Sequence, residues 1–250
     1  MPRRTEWRDK SPLVIAHRGA SAYAPENTLA AFRLAEELGA QAIELDVKLT
    51  KDERVVVLHD ATLERTTSGR GPLSKFSYEE IKHLDAGSSF GPTFAKEIIP
   101  TLEQVFIHLG SGMLINIELT NYANPFDALP AKVVEIVRRA GNASQILFSS
   151  FSVIALIRAR RMAPEIPTGL LVRNSTAMWL TALMQRLLKV EYFHPQDGMV
   201  TARMLDKIRN MNMAVNVWTV NDQSRMRTLL DMGVAGLITD EPEVALQTLQ

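Results

Sequence analysis

Short apolar runs alternate with amphipathic stretches along nearly the whole chain. The runs are Val14-Ile15-Ala16, Ala42 to Val47, Leu114 to Leu119, Ile146-Leu147-Phe148, Gly169 to Val172, Tyr192-Phe193, Ala214 to Thr219 and Gly236 to Thr239. Each has the length of a buried strand, and most intervals between them carry apolar residues at helical spacing. Leu29, Phe32, Ala35 and Leu38 share one face of a helix that Asn27-Thr28 can cap and Gly39 can end. Further helices are predicted over Lys132 to Ala140, Val153 to Met162, Trp179 to Leu188, Ala202 to Met211, Ser224 to Met232 and Glu243 to Leu249. Strand and helix in alternation mark parallel βα units. Eight such strands, most followed by a helix, favour a closed (β/α)8 TIM barrel of the α/β class over an open sheet.

A ninth apolar run, Val55 to Leu58, follows the turn-like Lys51-Asp52-Glu53-Arg54. It reads as a hairpin excursion from the second strand. From Ala61 to Pro100 the alternation stops, and Gly69, Gly71, Pro72, Gly87, Gly91 and Pro92 accumulate. This stretch is expected to be a small insertion above the barrel mouth, between the second strand and its helix, with residues 1–250 forming one barrel domain. Loops at that end of a barrel carry substrate specificity. The chain shows neither internal repeats nor low-complexity tracts.

Composition narrows the function classes. The 28 basic and 28 acidic residues cancel, so a broad nucleic-acid footprint is not expected. The absence of cysteine excludes disulfides, thiolate metal sites and cysteine nucleophiles. Met1 to Lys10 is charged and no apolar run follows it, so a cytoplasmic protein without a secretory signal is expected. No stretch approaches the roughly 20 apolar residues that span a bilayer. A stripe of Leu180, Leu183, Met184, Leu187 and Leu188 is expected to face the barrel rather than a membrane.

The candidate chemistry sits at strand ends. Glu44 and Asp46 are two residues apart on one strand and so share a face. Two acids aimed into a barrel end are costly to bury unless a cation offsets them. Glu118, ending the strand that starts at Leu114, adds a third carboxylate. An all-oxygen set suits Mg2+ or Ca2+ rather than zinc, with the choice between the two left open; a salt-bridge cluster with rim arginines is the plainer alternative. His17 and Arg18 follow the first strand, at the rim where barrel active sites lie. A guanidinium fork suits a phosphodiester oxyanion. His59 ends the hairpin run, and a pair of imidazoles can divide donor and acceptor roles near neutral pH. Asp60 either orients His59 or only terminates its strand. Glu26 either assists the metal, positions Arg18 or, as the preferred reading, supplies charge complementing the helix that Asn27-Thr28 opens. Trp218 and Phe151 end strands in the same layer, as an apolar wall for substrate or as barrel-top packing. His83, His108 and His194 are expected at the surface or in loops.

The ordered set His17-Arg18-Gly19, Pro25-Glu26-Asn27-Thr28, Ile43-Glu44-Leu45-Asp46-Val47, Leu49-Thr50-Lys51-Asp52 and His59-Asp60 resembles the glycerophosphodiester phosphodiesterase family. So do Asp85-Ala86-Gly87-Ser88, Ile99-Pro100-Thr101-Leu102-Glu103, Asn116-Ile117-Glu118-Leu119, Ser149-Ser150-Phe151, Trp218-Thr219-Val220-Asn221 and Thr239-Asp240-Glu241-Pro242, and the likeness runs from about Leu13 to about Val244. The resemblance implies a divalent metal on Glu44, Asp46 and Glu118, with His17 and His59 as the general acid-base pair. It implies a small-molecule glycerophosphodiester substrate, cleaved to sn-glycerol 3-phosphate and an alcohol within lipid and glycerol metabolism. It also suggests that the glycerol 2-hydroxyl attacks first and that water then opens a cyclic phosphate. Two positions depart from the family pattern. Thr120 stands where the family usually has Lys, and Ala235 where Asp is common. Arg173, at the end of its strand, is a candidate for the missing charge.

Two rival readings keep the same barrel. A lysophospholipase D would need an apolar trough from the insertion, where Phe76, Tyr78, Phe90 and Phe94 are diluted by Gly, Ser and charged residues. A barrel that binds a phosphorylated ligand without turnover should have lost a ligand or a histidine, and none of the five is lost. No nucleic acid and no stable membrane insertion are expected among the partners, and a homo-oligomer is left open.

Overall fold

The eight runs form the staves of one cylinder. The computed structural model describes residues 6–10, 12–110, 112–173, 185 and 189–250. The strands are β1 (Leu13–His17), β2 (Ala42–Leu49), β3 (Val55–Val57), β4 (Leu114–Leu119), β5 (Ile146–Ser150), β6 (Thr168–Val172), β7 (Tyr192–Pro195), β8 (Ala214–Val217) and β9 (Gly236–Thr239). All but β3 pair in parallel with their neighbours, and β1 pairs with both β2 and β9, so the sheet closes. β3 folds back antiparallel on β2, with Val47 opposite Val57 and Leu49 opposite Val55. The architecture is a (β/α)8 barrel with an insertion after the second stave.

Local chemistry sets the helix starts. Thr28, Thr101, Ser152, Thr201 and Asp222 each accept a backbone N–H in the first turn of the helix they precede, which satisfies donors that otherwise lack partners. The helix expected from Lys132 begins earlier, at Leu129, with Pro130 in its first turn. Proline is tolerated there because its missing N–H would have been unpaired anyway. The strand expected to reach Thr219 ends at Val217, and Trp218 adds a parallel bridge to Gln196. The helix expected over Trp179 to Leu188, and its apolar stripe, lie outside the described residues apart from Gln185.

Alternation along the staves builds two layers. Ile43, Leu45 and Val47 of β2 point out, joining Ile115, Ile117, Leu119 and Phe148 against helix residues such as Phe32 and Val133. Ala42 points in, with Leu13, Ile15, Leu114, Leu147, Tyr192 and Ile238, and Trp7 fills the same lower interior. The Trp7 ring meets Tyr192 edge-on at 6.4 Å, and its Nε1 donates to the Gln145 carbonyl at 2.9 Å. The barrel is therefore plugged at its base.

His194 corrects the expectation of a surface histidine. It is fully buried on β7, with Nε2 3.2 Å from Asn216 Nδ2. Burial pulls its pKa down to about 3, so the ring is neutral. Gly169 makes room for it, since a Cβ there would lie 2.7 Å from Nε2.

The insertion has a core of its own. Leu63, Leu73, Ile81, Ala86 and Ile99 pack on Val56 and Leu58, with Phe76 and Tyr78 against them. Asp85 Oδ1 accepts the N–H groups of Gly87 and Ser88, both at 2.8 Å. The Asp85-Ala86-Gly87-Ser88 motif thus forms a side-chain-stabilised turn.

Candidate active site

The β2–β4 register assembles the acids. Asp46 lies opposite Glu118, and Glu44 opposite Asn116. Oxygens of Glu44, Asp46 and Glu118 come within 4.8 Å of one another. Glu44 and Asp46 are buried, at 3% and 1% exposure. Burial, followed by repulsion from Asp46, pushes Glu118 up to about 8, and Glu44 is raised by burial and by both neighbouring acids. Glu44 Oε2 accepts the Arg18 N–H at 3.1 Å, while the buried Oε1 has no protein partner. Crowded, desolvated carboxylates with a free inward oxygen fit a hard divalent cation, and zinc is disfavoured by the lack of nitrogen or sulfur donors. The Tyr122 hydroxyl donates to Glu118 Oε1 and orients it.

The first βα loop is shaped to serve this cluster. Arg18 adopts φ 56° and Gly19 φ 86°, which turns the Arg18 amide onto Glu44. A Cβ at Gly19 would lie 2.6 Å from the Ala31 backbone, so only glycine fits. Arg18 Nη1 donates to Glu26 Oε1 at 2.8 Å, and Arg18 Nε lies 3.2 Å from Asp46 Oδ2. Asn27, also left-handed at φ 59°, donates from Nδ2 to Asp46 Oδ2 at 2.9 Å. Thr28 alone caps the helix. Glu26 corrects the helix-charge reading. Its carboxylate is clamped by Arg18 and by Arg65 of the insertion, at 2.6 Å from Arg65 Nη1, and these partners outweigh burial and lower its pKa.

Both histidines are backed by aspartates. His17 Nδ1 is 2.6 Å from Asp240 Oδ1. Burial would raise the Asp240 carboxyl, but His17, Asn221 and Ser21 hold it down to about 2. His59 Nδ1 is 2.6 Å from Asp60 Oδ1. Arg65 Nε donates to the other Asp60 oxygen at 2.6 Å, and this bond, with that of His59, keeps Asp60 at about 2. An ionised carboxylate on Nδ1 fixes the tautomer and leaves Nε2 for proton transfer.

An aromatic wall stands beside the acids. Tyr122 meets Phe151 edge-on at 5.8 Å, and Phe151 meets Trp218 at 5.5 Å. Trp218 Nε1 donates to the His194 carbonyl at 2.7 Å, which sets the plane of its ring. Arg173 lies over both rings, its Cζ 5.3 Å from the Phe151 centroid and 5.9 Å from that of Trp218. One cavity is lined by His17, Arg18, Glu44, His59, Asn116, Glu118, Phe151, Arg173 and Trp218. His17, His59, Arg18, Glu44, Glu118, Phe151, Arg173 and Trp218, the candidate catalytic, metal and substrate residues, thus share this cavity, and Asp46 meets Glu44 and Glu118 in the acid cluster. Phe76, Tyr78, Phe90 and Phe94 of the insertion do not line it; Phe90 and Phe94 pack on each other at 5.6 Å. Among the described residues, sequence reasoning missed Arg65, Asn116, Tyr122 and Asp240. Asp240 was within a quoted motif but had no assigned partner.

Residues 17–244 match the Glycerophosphoryl diester phosphodiesterase family. A glycerophosphodiester phosphodiesterase of Caldanaerobacter subterraneus subsp. tengcongensis is 38% identical over 240 residues, covering 95% of this chain and 98% of that protein. A glycerophosphodiester phosphodiesterase of Bacillus subtilis is 30% identical, covering 93% and 84%. Among solved structures, an Oleispira antarctica phosphodiesterase in complex with the product sn-glycerol-3-phosphate superposes with TM-score 0.92 at 33% identity, covering 97% and 98%.

Proposed function

The chain belongs to the glycerophosphoryl diester phosphodiesterase family and is a phosphoric diester hydrolase, and on that premise we propose that it cleaves glycerophosphodiesters to sn-glycerol 3-phosphate and an alcohol at the rim cavity. The observation that carries this reading is the convergence of two His–Asp pairs on one acid cluster. Glu44, Asp46 and Glu118 would hold a divalent cation, Mg2+ or Ca2+, which when bound neutralises charge on the phosphate and acidifies a neighbouring hydroxyl. Arg18, pinned by Glu26, donates to a non-bridging phosphate oxygen as charge develops there. His17 and His59 move protons through Nε2, one removing a proton from the attacking hydroxyl and the other giving one to the leaving alcohol. Asp240 and Asp60 stabilise each imidazolium as it forms. Phe151 and Trp218 shield the glycerol or head group from water, with Arg173 at the same wall. The attacking hydroxyl of the first step is that of glycerol C2, followed by water on the cyclic phosphate. The distribution of aromatics favours a small polar substrate over a lysolipid, since the insertion spends Phe76 and Tyr78 on its own core.

No helix among the described residues is long and apolar enough to cross a membrane. A cytoplasmic role in glycerophosphodiester turnover, without nucleic-acid partners, completes the reading. The test is release of glycerol 3-phosphate from glycerophosphocholine with Mg2+, with Ca2+ and with chelator, beside His17→Ala. Release that requires metal and is abolished in His17→Ala is expected; no release with either ion would overturn the assignment.

A further inference from the structure

We propose that Lys48, held by Thr120, supplies a fixed positive charge to the phosphate, an inference that rests on the phosphodiesterase reading above. Glu44, Asp46 and Lys48 follow one another at two-residue spacing on β2, so all three point to the barrel interior. The register that sets Asp46 opposite Glu118 carries Lys48 opposite Thr120. Lys48 Nζ donates to Thr120 Oγ1 at 2.7 Å and reaches the Thr120 carbonyl at 3.5 Å. The Thr120 hydroxyl already donates to the Val47 carbonyl at 2.7 Å, so toward Lys48 it can only accept. Thr120 therefore anchors the ammonium with its lone pairs and leaves one N–H free. Burial lowers the Lys48 pKa, and the carboxylates of Asp46, Glu118 and Asp60 act against that.

The other cations of the rim each have partners already. Arg18 divides itself between Glu26 and Asp46. Arg65 bridges Glu26 and Asp60, and Arg173 covers two rings. With Arg18 balanced by Glu26, the three acids and a divalent ion would carry one net negative charge, which repels a phosphodiester monoanion. Lys48 cancels it. The arrangement assigns to Lys48 the charge that sequence reasoning had looked for in Arg173.

A purely structural lysine would neutralise the acids and nothing more, so binding of anion and cation must be read separately. The variants are Lys48→Met, Lys48→Arg and the exchange Lys48→Thr with Thr120→Lys. Calorimetry measures glycerol 3-phosphate binding and Mg2+ binding, and kinetics on glycerophosphocholine separate KM from kcat. Losing a charged hydrogen bond is expected to weaken glycerol 3-phosphate about ten- to hundredfold in Lys48→Met and to raise KM. Mg2+ binding should tighten severalfold, because a cation has left the acids. Lys48→Arg and the exchange variant should recover most of the anion affinity, since the exchange returns an ammonium to the same gap. Unchanged glycerol 3-phosphate affinity in a folded Lys48→Met would overturn the inference, as would weakening of both ligands together. Failure of the phosphodiesterase reading shows differently, as a wild-type protein that binds glycerol 3-phosphate but releases none from substrate.

Discussion

Binding of a divalent ion at pH 7 should expel about one proton from the protein. The origin is the crowding of the acids. Burial and then Asp46 raise Glu118 to about 8, and burial, Asp46 and Glu118 raise Glu44, against about 4.3 for a free glutamate. A group with a pKa near 8 holds its proton in about nine molecules of ten at pH 7. The ion takes carboxylates only, so that proton must leave as the ion enters. The sign follows from the direction of the shift. A raised folded-state pKa stabilises the metal-free fold fully below the unfolded value, and the contribution is lost as pH rises through about 8. Metal takes over the role of the proton, so its stabilising effect grows with pH. Apparent affinity should fall about tenfold from pH 7 to pH 6 for one linked proton. Calorimetric titration with Mg2+ in two buffers of different ionisation enthalpy gives the proton count directly. Glu118→Gln should lower the count by about one while weakening the ion. Binding with no proton release and with affinity flat between pH 6 and pH 7 would refute the reasoning.

Two further perturbations test the scaffold. Asp240→Asn removes the carboxylate from His17 Nδ1 and should lower kcat by about a hundredfold or more, the range of a positioned acid-base group, with KM changed far less in steady-state kinetics. Trp7→Ala empties the base of the barrel, where the indole is fully buried against Tyr192, and should cost about 3–5 kcal/mol in urea unfolding, with KM unaffected because the rim is at the other end.

The staves were legible because both of their faces are buried, which leaves continuous apolar runs such as Ile43 to Val47 interrupted only by the functional acids. Periodicity of two also placed Glu44 and Asp46 on one face before any coordinates. What periodicity cannot supply is a partner distant in sequence. Asp240 reaches His17 across 223 positions, and Arg65 reaches Glu26 across 39, and neither contact leaves a local signal. The helix reading of Glu26 was preferred over positioning of Arg18 for that reason, since its helix-side position was visible and its Arg65 partner was not. His194 was misplaced because its strand is only four residues long, so the alternation that marks an inward position hardly develops. Lys48 carried the needed signal, two residues beyond Asp46 on a predicted strand. It passed unnoticed because that strand was ended at Val47, whereas β2 runs on to Leu49.

The placement of the two His–Asp pairs ties catalysis to different parts of the fold. His59 and Asp60 are adjacent in sequence, and Arg65 of the same segment orients Asp60. That pair draws only on residues close together in sequence. His17 and Asp240 come from β1 and from the turn after β9, the two staves whose pairing closes the barrel. The second pair therefore exists only in the closed cylinder. Asn221 and Ser21 hold Asp240 from either side of that seam, at 2.7 Å and 2.9 Å. The proposed acid-base chemistry would require both imidazoles at once, so the seam would set when the site becomes competent. Arg65 then links the halves through Glu26, because the same guanidinium that steadies Asp60 also grips the carboxylate that pins Arg18. On the proposed mechanism the insertion would thereby act on the reaction by fixing Arg18 through Glu26, without lining the cavity itself.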